Sequence, residues 1–465
     1  MLPVALASAA VMLGELARLV GPQHVLEAPP ESPYNRDSSR RRGLEGRADA
    51  VVLPGSAAQV AEVVRWCYSH DVPIVARGGG TGLTGGAVPS DGGVVLSLER
   101  LRAVRELEPA LWRIYPEAGV STRHVQRLAR ENGLLFAPDP GAAEQSQIGG
   151  NVATNAGGPH ALKYGVTGAW VTGLEAVLAP GELVHVGGWA RKDVAGYDLK
   201  NLLIGSEGTL GVITAVRLRL LPAPEAQLAL VAFMRSLADG CAAMLEVLAA
   251  GIEPSALDFL DGATLALVAG GYPGKPPDGA AFALLAEVDG TLAEAERRRE
   301  ELVELLGGRA LAIDVPERDA LWRWRDSFNG VVSGARGAKV SEDVAFPVEL
   351  LADGLEGFEQ IAERHALRSC AWGHGGDGNV HATVLVDPAA EAELDAAEAV
   401  GAELFALVRS LGGSIAAEHG VGRLKSGLLE AQWDPRTVEL HEQIKRAFDP
   451  KGLFNPGKKL ARRRT

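Results

Sequence analysis

Cysteine is scarce: the 465-residue chain holds only Cys67, Cys241 and Cys370, with no Cys-x-x-Cys pair. That argues against a disulfide framework, a zinc ribbon or an iron–sulfur cluster, and favours a reducing compartment. Positive charge is also in deficit. The formal net charge is −13, whereas nucleic acid demands a basic face, so nucleic acid is not the expected partner. A membrane-spanning run is lacking as well. The opening MLPVALASAAVMLGELARLV is apolar and rich in small residues, but it has no basic flank, and Glu15 and Arg18 interrupt it too soon for a span. A helix packed on the body is expected, in a cytoplasmic protein whose membrane contact, if any, is peripheral.

What remains is an ordinary globular composition, 47% hydrophobic and 23% charged, on a chain long enough for two or three domains. A polar segment at 30–43 reads as irregular. Beyond it, short apolar runs alternate with helical patterns: strands at 49–53 and 72–76 flank a helix at 56–70 that Ser56 can cap. LPAPEAQ (221–227) reads as a linker. A second α/β pattern follows, with strands near 228–233, 282–288 and 309–315 and helices near 236–250 and 292–306. The last fifty residues look helical and end in FDPKGLFNPGKK. The expected segments are 1–45, 46–222, 225–415 and 416–465.

Glycine is plentiful where phosphate could be held. ARGGGTGLTGGAVP (76–89), IGGNVATNAGG (148–158) and IGSEGTLGVIT (204–214) fall in the first large segment. Gly80-Thr-Gly82-Leu-Thr-Gly85 matches the dinucleotide fingerprint, but that motif must open a helix. Here the chain runs into Pro89 and Gly92-Gly93, so a Rossmann reading fails, and no Gly-Lys-Ser/Thr follows to make a P-loop. Loops that never become helices can still cradle an anion with backbone N–H groups. Three of them together suggest an extended ligand laid across all three.

WGHGGDGNVH (372–381) poses a separate problem, because His374, Asp377 and His381 sit on a backbone too rich in glycine for a helix. It reads as a tight turn feeding a strand from His381. Two imidazoles and a carboxylate on one turn suggest a metal or an active site; a hydrogen-bonded surface turn is the alternative.

Taken with GYDLKNLLIGSEGTLGVIT, KVSEDVAFPVELL, AAEHGVGRLK and FDPKGLFNPGKK, these motifs resemble the vanillyl-alcohol oxidase/PCMH superfamily of FAD enzymes. Within it the likeness is to the branch of D-lactate dehydrogenase, glycolate oxidase and D-2-hydroxyglutarate dehydrogenase, and it covers about 45–459. The resemblance implies an α+β protein: a two-part PCMH-type FAD-binding domain, a ferredoxin-like cap and a C-terminal helical segment that returns to the FAD domain.

The resemblance also implies roles. Arg77, Gly78, Gly79, Gly80, Thr81, Gly82, Leu83 and Thr84 would cradle the FAD pyrophosphate. Pro138, Gly149, Gly150, Asn151, Thr154 and Gly157 would line the flavin and its ribityl chain. Gly205, Glu207, Gly208 and Ile213 would follow the adenosine, and Asn455 would return to the cofactor. Thr81 stands where covalently flavinylated members carry histidine, so non-covalent FAD is expected.

A divalent metal, with zinc as the expected ion, would be held by His374, His381 and Glu418. The metal would chelate a 2-hydroxy acid and acidify its hydroxyl. His419 would be the general base and Arg325 the partner of the substrate carboxylate, with Lys339 and Asn379 as further candidates. If Glu418 and His419 serve one site, the backbone must turn there, and Gly420 permits it.

Electrons would pass from FAD to a separate acceptor, whether a protein subunit, an electron-transfer flavoprotein, a cytochrome or a quinone. Oligomeric state stays open. Two other function classes compete. One is a non-redox flavoprotein like alkylglycerone-phosphate synthase, whose run of consecutive histidines is missing here. The other is a His/His/Glu metal hydrolase.

Overall fold

A computed structural model describes residues 9–460. They form two compact units, and the chain passes between them more than once. The first contains residues 9–156, 166–223 and 419–460; the second contains 157–165 and 224–418.

In the first unit, a four-stranded sheet has the order Val25–Leu26, Ala50–Val52, Val94–Ser97, Ile74–Arg77. Its last three strands run parallel. They are buried and β-branched because parallel strands are covered on both faces. The helix Ala57–Ser69 starts where Ser56 Oγ accepts the Gln59 N–H, and Val60, Val63 and Val64 are fully buried. The N-terminal helix Ala9–Val20 contributes Met12, Leu16 and Val20 to the same core; the first eight residues of the expected helix lie outside the described residues. A second, antiparallel sheet of five strands has the order Val104–Glu108, Arg113–Pro116, Val212–Arg219, Val171–Leu178, Glu182–Gly187.

Two expectations fail locally. The segment read as irregular contains two short 3-10 helices, Pro33–Asn35 and Ser38–Arg42, because Ser32 and Asp37 accept backbone N–H groups at their starts. The glycine-rich 148–158 stretch is not simply a loop: Ile148–Thr154 is helical. Gly149 is dictated there by packing, since a Cβ would fall 2.5 Å from the Ala118 methyl.

The second unit is built on a seven-stranded antiparallel sheet. Ala226–Met234, Ala256–Asp261, Phe282–Gly290 and Ala312–Asp314 lie side by side in the order fourth, first, third, second. Helices Leu237–Ala249 and Leu292–Gly307 connect them, giving the ferredoxin-like arrangement. Ser236 caps the first helix, and Thr291 with Glu294 forms a capping box on the second. Three further strands, Arg368–His374, Asn379–Val386 and Ala338–Ala345, extend the sheet beyond Ala256–Asp261. Helix Arg318–Gly334 contributes Leu321, Trp324, Phe328 and Val332 to the apolar cluster that includes Trp372 and Leu385.

Candidate functional site

In the first unit, the strand Ile74–Arg77 delivers its chain into a loop that no α-helix follows before Thr122. The loop is tightly packed. A Cβ on Gly79 would lie 2.1 Å from the Gln145 carbonyl oxygen, and one on Gly80, at φ +68°, would meet the Arg77 guanidinium at 2.0 Å. Arg77 is itself held by the Arg36 carbonyl at 2.7 Å and lies over the Tyr34 ring. Gly78 faces Gly150 of the helix Ile148–Thr154, its Cβ position 3.5 Å from the Gly150 Cα. Gln147 Oε1, buried and without a hydrogen-bond partner, lies 3.7 Å from that same position. A buried acceptor left unmatched asks for a donor such as a ligand hydroxyl. The exposed backbone of the glycines and this acceptor fit a phosphate-bearing polyhydroxylated cofactor such as FAD.

Several residues expected at the cofactor also hydrogen-bond to the protein's own chain. The Asn455 amide donates to the carbonyls of Gly86 and Glu207. The Glu207 carboxylate accepts the N–H groups of Val421 and Gly422. The Thr84 carbonyl accepts from Arg423, and its hydroxyl reaches the His419 carbonyl. Asn151 donates to the Thr122 hydroxyl, Thr154 bonds back to the Gly150 carbonyl, and the Pro138 carbonyl accepts from Gln126. These groups brace the loops. Gly205 and Gly208 adopt φ +70°, and Ile213 is buried in a strand. Gly157 belongs to the second unit.

In the second unit, the strand pair Arg368–His374 and Asn379–Val386 is joined by a turn in which Gly378 takes φ +78°. On this hairpin, His374 and His381 approach edge to face, with ring centroids 5.7 Å apart. His374 Nε2 lies 3.7 Å and His381 Nε2 3.5 Å from the same Glu418 oxygen. Around a tetrahedral ion with bonds of about 2.1 Å, neighbouring donor atoms stand about 3.4 Å apart. Both separations from Glu418 are close to that value, and the ligand atoms of His381 and Glu418 also lie within 4.8 Å of those of Asp343 and His419.

A second layer holds these donors. Asp258 Oδ1 accepts from His374 Nδ1 at 2.7 Å, turning Nε2 toward Glu418. Carboxylates commonly orient metal-binding imidazoles in this way. Burial opposes charge on His374, but Asp258 and Glu418 outweigh it and lift the imidazole to about 10. Arg325 Nε binds Asp258 Oδ2 at 2.7 Å, and Nη2 lies 3.5 Å from His374. It is therefore a half-buried member of the site, and among the described residues no partner engages its Nη1.

Asn379 Nδ2 donates to Asp343 and to the Val344 carbonyl, and its Oδ1 is buried without a partner. Lys339 Nζ lies 4.5 Å from the Trp372 ring centre. After Glu418, Gly420 takes φ +80°, so the chain does turn there.

Three features escaped the sequence. Asp258 sits inside the apolar strand Ala256–Asp261 and Asp343 in the mixed strand Ala338–Ala345, where only a carboxylate on a buried face could have flagged them. Leu162, on the 157–165 segment, packs where a Cβ on Gly376 would be, 2.4 Å away. The same segment brings His160 to Glu287 at 2.8 Å and places Lys163 and Tyr164 on Asp289. Glu287 also binds Arg318 and Trp322 at 2.6 Å.

Comparison with known proteins places both parts of the chain in one group of FAD enzymes. Residues 48–187 match the model described as "FAD binding domain", and 223–459 match "FAD linked oxidases, C-terminal domain". The chain is 35% identical over 434 residues to glycolate oxidase subunit GlcD of Bacillus subtilis, covering 92% of each chain. It is 35% identical to D-lactate dehydrogenase of Archaeoglobus fulgidus, covering 92% of this chain and 96% of the other. A solved structure of p-cresol methylhydroxylase with substrate bound shares the fold, with a TM-score of 0.80, 18% identity and 99% of each chain covered. With its glycine-lined cradle and a ferredoxin-like second unit, the chain belongs to the FAD-linked oxidase family and is a FAD-dependent oxidoreductase.

Proposed function

We propose that the protein oxidises a D-2-hydroxy acid of the lactate, glycolate or 2-hydroxyglutarate class to the 2-oxo acid. The observation that carries this reading is the convergence of His374 Nε2 and His381 Nε2 on one Glu418 oxygen. The named activities of the glycolate oxidase and D-lactate dehydrogenase relatives support the substrate class.

When bound, FAD supplies a hydride acceptor and a divalent ion, zinc in this reading, supplies a Lewis acid. The protein's residues do the rest. His374, His381 and Glu418 would hold the ion beside the substrate hydroxyl. The open edge of Arg325 receives the carboxylate, with Asp258 fixing the guanidinium plane. His419 takes the hydroxyl proton. Lys339, on the neighbouring edge strand, serves the substrate side chain, and Asn379, at the start of the second hairpin strand, serves the loop. Backbone groups of Arg77–Thr84, with Gly149, Gly150 and Gly205–Gly208, retain FAD without a covalent bond.

The electron acceptor is a separate molecule, since the three cysteines are buried and free and offer no relay. No helix among the described residues is long and apolar enough to cross a membrane.

The test is an anaerobic titration with paired D- and L-2-hydroxy acids, following flavin bleaching. Bleaching by a D-acid, with dichlorophenolindophenol reduced and NAD not, is expected. No bleaching by any member of the panel would refute the dehydrogenase reading and favour a non-redox flavoprotein. A colourless protein without flavin would favour a metal hydrolase.

A further inference from the structure

Asp343 lies in the middle of the buried side of the metal constellation, yet nothing in the reaction proposed above requires it. It stands on the edge strand Ala338–Ala345, directly opposite His381 in register. The carboxylate is 2% exposed. Oδ2 accepts two backbone N–H groups, from Ala417 at 3.0 Å and Glu418 at 2.9 Å. Oδ1 accepts from Asn379 Nδ2 at 2.8 Å and lies 3.9 Å from His381 Nδ1.

The segment that bears Glu418 belongs to no regular element. A single bridge, Ala345 paired with Ser414 through bonds of 2.9 and 2.8 Å, ties it to the edge strand. Four residues beyond that bridge, its direction depends on Asp343. A carboxylate accepting two successive amides fixes the peptide planes on either side of Ala417, and with them the direction in which the Glu418 side chain leaves the chain.

We propose that Asp343 is a positioning residue: by clamping the amides of Ala417 and Glu418 and facing His381, it sets the metal-binding geometry of Glu418. The inference rests on the metal reading above. Asp343 shares the neighbourhood of His381 and Glu418 closely enough to be mistaken for a ligand. Its oxygens are already engaged by three N–H donors, which is the pattern of a supporting carboxylate.

The distinction is measurable on the FAD-loaded full chain. Zinc would be removed with a chelator, and its affinity then measured by competition with a chromophoric chelator. The proteins compared are wild type, Asp343→Asn, Asp343→Ala and His381→Ala, with flavin content and melting temperature recorded for each. In Asp343→Asn the side-chain shape is kept, but either the two backbone amides or Asn379 must face an NH2 group. Zinc affinity should fall about 10- to 100-fold, the usual cost of losing an outer-shell partner. Flavin content should not change, and kcat should recover when zinc is saturating.

Asp343→Asn with wild-type affinity would overturn the proposal. So would affinity as low as that of His381→Ala with no recovery at saturating zinc, because Asp343 would then be a ligand. If Asp343→Ala does not fold, the asparagine variant alone decides. Wild-type protein without measurable zinc affinity would overturn the metal reading, and this inference with it.

Discussion

The two units prepare for their ligands by opposite means. In the first, the cradle is made by what side chains leave out: Gly79 and Gly80 permit approaches of about 2 Å between a would-be Cβ and its neighbours. The polar side chains nearby, Asn455, Glu207 and Thr84, spend their hydrogen bonds on the chain itself. In the second, the proposed metal donors are side chains, and carboxylates hold them from behind: Asp258 behind His374, Asp343 behind Glu418. A main-chain cradle is vulnerable to added volume. A side-chain cluster is vulnerable to lost charge.

The largest effect should come from the side-chain cluster. His381→Ala should lower turnover about a thousandfold, in keeping with several kcal/mol of Lewis-acid stabilisation. Flavin content should stay at the wild-type level, read by absorbance after acid release. Loss of flavin together with metal would mean that the two sites are not independent, and the comparison would fail.

The reciprocal experiment adds one methyl group. Gly79→Ala forces a Cβ against the Gln145 carbonyl, a backbone atom that cannot swing away. Overpacking of this kind costs about 1–3 kcal/mol, so FAD should bind about tenfold more weakly or worse. Apoprotein titration by flavin fluorescence reads this directly. Zinc affinity should not move.

These contrasts also explain what could be read from the amino-acid order. His374 and His381 were legible because two imidazoles on a glycine-rich turn are conspicuous at short range. The loop after Arg77 was legible because Pro89 forbids the helix a dinucleotide fingerprint needs. Asp258 and Asp343 were not, since their partners lie 116 and 75 residues away and are reached only through strand register and the returning chain. The helical setting of Gly149 was hidden for a related reason: Ala118, a packing neighbour distant in sequence, leaves no room for a Cβ there. The 157–165 segment follows a cofactor motif in sequence yet packs in the second unit, which no local pattern announces.

Glu287 tests whether the second unit depends on charge away from the metal donors as well. Burial opposes its ionisation, but His160, Arg318 and Trp322 outweigh that and hold the carboxyl down to about 2. A folded value below the ordinary 4.5 means that this stabilisation is fully present above about pH 4.5 and is lost as pH falls through about 2. Glu287→Gln leaves Arg318 without its buried partner and should cost about 3 kcal/mol at neutral pH. Denaturation at pH 7 and pH 3 should show the gap between wild type and variant narrowing in acid. A gap of constant size would remove Glu287 from the account of acid stability.

The smallest effect probes a buried charge near the main-chain cradle of the first unit. Lys458 is 3% exposed, and its ammonium donates to Asn455 Oδ1 at 2.7 Å. Burial pushes it down to about 8, although Asp91 and Asp37 pull the other way. Its folded value is below the ordinary 10.5, so between about pH 8 and 10.5 the unfolded chain binds the extra proton and stability rises with pH. Lys458→Met keeps most of the packing volume and removes both the burial penalty and the hydrogen bond. Those terms oppose each other, so the net change at pH 7 should stay within about 1 kcal/mol. What should change is the slope: wild type should gain on the variant between pH 8 and pH 10 in denaturant midpoints. Parallel midpoints across that range would mean that Lys458 keeps its full charge in the fold, and that burial there is weaker than its position implies.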